Sequence, residues 1–233
     1  MPRLPRGAAL PAMLANPFIN SAAKAARANL VPGIFLQGLA AILLVLYFGV
    51  SSARPVFEWF AALKSEYGYF YSAIATALCG GLVPFLYLFF TGRLDRRIGA
   101  QLAFYLGFWA WKGMEVDALY RFQGVMFGTE PSLSVIVCKV AFDQFVYTAL
   151  WSSPTITVFY MWKNADFSWQ KLRPQLTREL FTLKIPTVVV AAWLVWIPAV
   201  TLIYCLPMTL QLPMFNLVLC FWGLLIEVLN KKD

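Results

Sequence analysis

The pattern of apolar and polar positions divides most of the chain into six long hydrophobic runs separated by short polar stretches. They lie at about 31–52, 69–91, 102–125, 133–161, 182–205 and 208–229. A helix that crosses a bilayer needs about 20 mostly apolar residues, so each run is long enough for one crossing. The first run carries no charge. The third begins apolar and turns amphipathic through Lys112, Glu115, Asp117 and Arg121. The fifth and sixth are separated at Leu206-Pro207, because proline forbids a regular helix through that point. Pro84, Pro154, Pro186, Pro198 and Pro213 fall inside runs, so several helices are expected to be broken. The predicted fold is an all-α, polytopic transmembrane bundle of about six hydrophobic helices. A single domain covers residues 31–233, preceded by a basic segment at residues 1–30.

Composition agrees with the pattern. Of 233 residues, 61% are hydrophobic and 13% charged, with 20 Phe, 10 Tyr and 9 Trp. An ordinary soluble domain is roughly half apolar and a quarter charged. The lipid bilayer is therefore the expected partner. The net charge of +8 is read as loop bias in a membrane protein, and no nucleic-acid partner is expected.

Loop charges give a topology. If the runs alternate direction, one side receives Arg3, Arg6, Lys24 and Arg27, then Arg93, Asp95, Arg96 and Arg97. The same side receives Lys163, Asp166, Lys171, Arg173, Arg178 and Glu179, and finally Lys231, Lys232 and Asp233. The other side receives Arg54, Glu58, Lys64 and Glu66, which sum to zero, and Glu130. Basic loops thus collect on one side, as the positive-inside rule requires. Were the third run to lie in the interface as an amphipathic helix, every later run would flip. The 162–181 loop would then reach the less basic side. Six crossings fit better. Residues 1–30 contain no acid and read either as an organelle-targeting segment or as a plain basic flank of the first run.

The chain has no histidine, which removes imidazole bases, Ser-His-Asp triads and His metal ligands. Cys79, Cys138, Cys205 and Cys220 have neither metal-ligand nor redox spacing and are expected to pack as small hydrophobes. No nucleophile–base arrangement or phosphate-binding loop is present. No enzyme activity, cofactor or metal is expected. Ionisable groups inside a membrane are functional candidates by default, and Lys139, Asp143 and Gln144 stand in the middle of the fourth run. Lys139 and Asp143, four apart, share a helical face and can pair. They read either as lining of a hydrated path or as a neutralised clamp between helices. Trp193 and Trp196 in the fifth run belong in the bundle interior or at a cavity, and Gln211 is a further polar candidate in the sixth. The stripe of Lys112, Glu115, Asp117 and Arg121 reads as headgroup-facing or, second, as pore lining. Gly33, Gly38, Gly80 and Gly81 are expected where helices approach closely.

Lys139-Val-Ala-Phe-Asp143-Gln144 resembles the K-x-x-x-D-Q motif of the family of the 22-kDa peroxisomal membrane protein and its mitochondrial inner-membrane relatives, the Mpv and Sym proteins. Trp169-x-Lys171-Leu172 resembles that family's W-x-K-L loop. Trp193-x-x-Trp196-x-Pro198-Ala199, followed by Tyr204-x-x-Pro207, Gln211 and Trp222, is similar to its C-terminal signature. Gly80-Gly81-x-x-Pro84 and Leu94-Asp95-Arg96 look like its G-x-x-GP and LDR stretches. Ile197 is inserted relative to the family, Thr201 stands where the family has Gln, and Gln211 where it has Arg. The resemblance implies a multi-pass organelle membrane protein forming a weakly selective channel for small solutes or ions. Lys139, Asp143, Gln144, Trp193, Trp196 and Gln211 would then be its pore or polar-clamp residues. The alternative is a non-conducting accessory subunit of a larger inner-membrane respiratory or ATP synthase complex, with other membrane subunits or a second copy as partners. The acid-free basic N-terminus favours the mitochondrial inner membrane over the peroxisomal membrane.

Overall fold

A computed structural model describes residues 17–94 and 96–229. The expectations for residues 1–16 lie outside these. All regular elements among the described residues are helical. In chain order they are α1 (Pro17–Gly49), α2 (Arg54–Thr76), α3 (Val83–Phe90), α4 (Ile98–Phe127) and α5 (Leu133–Ala141). Then follow α6 (Ser153–Asn164), the single turn α7 (Trp169–Leu172), α8 (Ile185–Tyr204) and α9 (Met208–Leu229). Five stretches are long and apolar enough to cross a membrane: Asn29–Gly49, Ser51–Phe90, Leu133–Asn164, Leu180–Tyr204 and Met208–Leu225. This is the composition of a multi-pass membrane protein. Outward-facing apolar side chains such as Phe90, Val125 and Leu133 fit contact with lipid tails. Among the cysteines, expected inside, Cys138 is exposed and the other three are only partly covered, all as free thiols. Lipid is as apolar as the core, so a small hydrophobe gains little by turning inward.

Three spans widen from α to π geometry, and each widened stretch stops just before a proline. Ala77–Leu82 precedes Val83-Pro84, Phe142–Ser152 precedes Ser153-Pro154, and Leu180–Lys184 precedes Ile185-Pro186. Proline donates no N–H and its ring crowds the carbonyl four residues back. Shifting the ladder to i→i+5 bonding relieves that crowding and keeps the remaining groups paired away from water. At Pro84, Pro154 and Pro186 the expected breaks are thus local widenings that leave the spans continuous, while Pro198 and Pro213 lie inside α8 and α9 without one.

The stretch 53–68, expected as a loop, is mostly helical. It joins the second span at Gly68, whose φ of 52° and ψ of −122° break the helix direction. That conformation costs glycine little and other residues much.

The charged third run, α4, lies antiparallel along this second span. A Cβ on Gly81 would stand 2.6 Å from the Tyr105 carbonyl oxygen, and one on Gly113 would strike the Ser72 carbonyl and Thr76. Further along, Asp117 meets Lys64 and Ser72. Contact from Tyr105 to Asp117 on one helix and from Gly81 back to Lys64 on the other makes α4 traverse the same depth as its neighbour. Gly38, by contrast, is exposed with open space beside its Cβ position, so it mediates no close approach.

The ends of the bundle agree with the alternating topology. Arg97 Nη1 donates to the Asp166 carbonyl at 2.8 Å, which joins two basic loops at one end. At that end Lys171, hydrogen-bonded to Asp166, holds the Asp166 carboxyl below the usual carboxylate range, with Arg97 and Arg96 adding to the effect. The opposite end brings together Lys64, Arg121, Met208 and Thr209.

Candidate functional site

The π stretch Phe142–Ser152 carries the site. It presents Asp143 and Gln144 inward, where both are buried. Asp143 is 5% exposed. Its Oδ2 accepts from the Tyr204 hydroxyl at 2.6 Å, and its Oδ1 accepts from Thr148 Oγ1 and Gln144 Nε2, both at 3.2 Å. All three donors are neutral. Among the described residues no lysine or arginine forms an ion pair with Asp143.

The pairing of Lys139 with Asp143 expected from their spacing is not made. Lys139 is buried, at 2% exposure, and its ammonium sits 5.9 Å from the centre of the Tyr204 ring. The reason is local geometry. Lys139 lies in α5, Asp143 lies past the change to π geometry, and a wider turn swings residue i+4 off the face of residue i. Tyr204, which the sequence did not single out as a candidate, stands between them: its ring meets the cation and its hydroxyl the carboxylate.

Gln144 ties the fourth span to the fifth. Its carbonyl accepts from Trp193 Nε1 at 2.9 Å, while its buried Oε1 has no donor. Trp193 stacks edge-on with Phe145, and Trp196 packs against Phe215 and Trp222. Gln211 does not join the site. It is buried, and its Nε2 donates to the Leu206 carbonyl at 3.0 Å. That contact closes the turn between α8 and α9 and is structural.

Of the stripe on α4, Lys112 and Asp117 are buried in the interior and Glu115 is half-buried, whereas Arg121 is exposed. Asp117, 3% exposed, accepts from Lys64 and Ser72 at 2.8 Å each and from Arg121 Nε at 3.1 Å. Lys112 pairs with Glu115, and Tyr147 donates to the same carboxylate oxygen. Lys64 and Tyr147 were invisible as partners because they come from elements 53 and 32 residues away.

Some of these groups line a cavity of about 360 Å³ in the middle of the bundle. Asp143, Gln144 and Lys112 reach it, as do Thr148, Ser152 and Ser153, and Trp196 forms part of its wall. Lys139, Trp193 and Gln211 are outside the lining. A second cavity of about 190 Å³ lies toward the less basic end, against Lys64, Asp117, Arg121 and Thr209. Tyr120 is part of the wall of both. It is buried, and its ring lies 5.4 Å from that of Tyr204. Among the described residues no group of His, Cys, Asp and Glu could hold a metal ion. Compared with known protein families, curated proteins and solved structures, the chain has no match in any of the three.

Proposed function

We propose that the protein conducts small solutes through the bundle, between the two cavities, with Tyr120 closing the path in the conformation described. The observation that carries this reading is the shared Tyr120 wall. A cavity in the middle of the bundle and a smaller one toward its less basic end have the Tyr120 side chain as a common wall. Charges are costly inside a membrane and there face the bundle interior or a wet cavity. Asp143 and Lys112 at the larger space, and Asp117 and Lys64 at the smaller, follow that rule. In this reading Asp143 and Gln144 line the path, and Lys139, Trp193 and Gln211 hold the frame around it. The resemblance to the 22-kDa peroxisomal membrane protein family supports the same activity, and the acid-free N-terminal residues support the mitochondrial inner membrane.

Purified protein reconstituted into sealed vesicles is expected to release small solutes slowly. Tyr120→Ala is expected to raise that flux about tenfold or more, since roughly 1.4 kcal/mol off a barrier suffices. Asp143→Asn is expected to lower the preference for cations. Vesicles that remain tight with Tyr120→Ala at high protein density would overturn the proposal. Co-migration of the native protein with a much larger assembly on mild-detergent gels would favour an accessory subunit in its place.

A further inference from the structure

We infer that the larger cavity binds organic cations, an ammonium group on a compact apolar body. This inference names the solute class for the path proposed above and rests on that path's inner cavity.

Charge selects the sign of the ligand. Among the described residues only two of the lining carry charge, Lys112 and Asp143. Lys112 is already neutralised by Glu115, whereas Asp143 is held by three neutral donors. Asp143 is therefore the charged group of the wall that has no ion-pair partner among the described residues. Lys139, the nearest basic residue on the same span, lies over the Tyr204 ring outside the lining. A buried carboxylate without a counter-ion is costly, and a cationic ligand would supply what the chain does not. Gln144 Oε1, buried and without a donor, adds a second oxygen on the same wall.

Aromatic rings select the kind of cation. Trp109, Tyr120, Tyr147, Trp196, Phe215 and Trp222 all line the cavity. Ring faces attract cations, most strongly where water is excluded, and such cages are a recurrent means of binding quaternary ammonium groups. An alkylated or aryl ammonium ion fits both the rings and the mainly apolar wall, and about 360 Å³ is room for a molecule of modest size.

The test compares two molecules of one shape, phenyltrimethylammonium and its neutral isostere tert-butylbenzene, by calorimetric titration into the detergent-solubilised full chain. Phenyltrimethylammonium is expected to bind one to one and more tightly than the isostere. Asp143→Asn is expected to weaken the cation by about tenfold or more and to leave the isostere unchanged. Should Asp143→Asn fail to fold, Trp222→Leu decides, because it removes a ring face and leaves the carboxylate and its donors in place. It is expected to lower the cation-to-isostere affinity ratio. Equal affinities for the two molecules would overturn the inference, as would tighter binding of benzenesulfonate or a folded Asp143→Asn or Trp222→Leu protein that keeps the wild-type ratio. Binding in detergent involves no flux, so tight vesicles with intact cation binding would refute only the conducting path. Leaky vesicles without cation binding would refute only the solute class.

Discussion

Lys64 and Asp117 show how a single buried pair ties two spans together. Their side chains are 7% and 4% exposed, and the contact is 2.8 Å. Removing one member of a buried pair leaves the other uncompensated and costs about 3–5 kcal/mol. Ser72 and Arg121 remain on Asp117, so Lys64→Met should fall near the lower end, about 3 kcal/mol. The double variant Lys64→Met/Asp117→Leu is expected to lose less than the two single losses combined, because neither charge is then stranded. A double-mutant cycle of unfolding in mixed micelles measures the coupling, and strict additivity would refute the pairing. The sequence showed that these residues carry charge. The i,i+4 spacing showed the Asp117–Arg121 contact, but not that Lys64 and Asp117 meet, because such a rule sees only one helix.

At the scale of elements, close approach of α4 to the second span is set by absent side chains. Gly113→Ala would place a methyl group 2.6 Å from Thr76 Cβ and into the Ser72 carbonyl. Overpacking of this kind costs about 1–3 kcal/mol, and the melting temperature in detergent should fall accordingly. Gly107, on the same helix with open space around its Cβ position, is the control. Gly107→Ala should be neutral or stabilise by up to about 1 kcal/mol through helix propensity. Equal behaviour of the two variants would show that α4 does not pack as described. Gly80-Gly81 was legible in the sequence as a close-packing site before Pro84. Gly113 was hidden because a lone glycine in an amphipathic run has no distinguishing neighbour.

For the whole molecule, the alternating topology places residues 91–97 and 165–179 at one end, with 51–67, 128–132 and 205–207 at the other. In a cysteine-free background, Arg96→Cys and Gln175→Cys should react alike with an impermeant maleimide on sealed vesicles, and Glu130→Cys oppositely; all three native residues are exposed. Reaction of Glu130→Cys together with Arg96→Cys, and opposite to Gln175→Cys, would mean that α4 does not cross. The number of hydrophobic runs, the asymmetry of loop charge and the proline positions were determined by the sequence alone, because segment length, hydropathy and the missing N–H are local properties. Tertiary structure alone decided which charges meet. Lys139 and Asp143 part company because a widened turn rotates one against the other, and Asp143 finds Tyr204 61 residues away. Helix rotation accumulates through every kink and π turn. The lining of the cavity is therefore a property of the assembled bundle and of no segment within it.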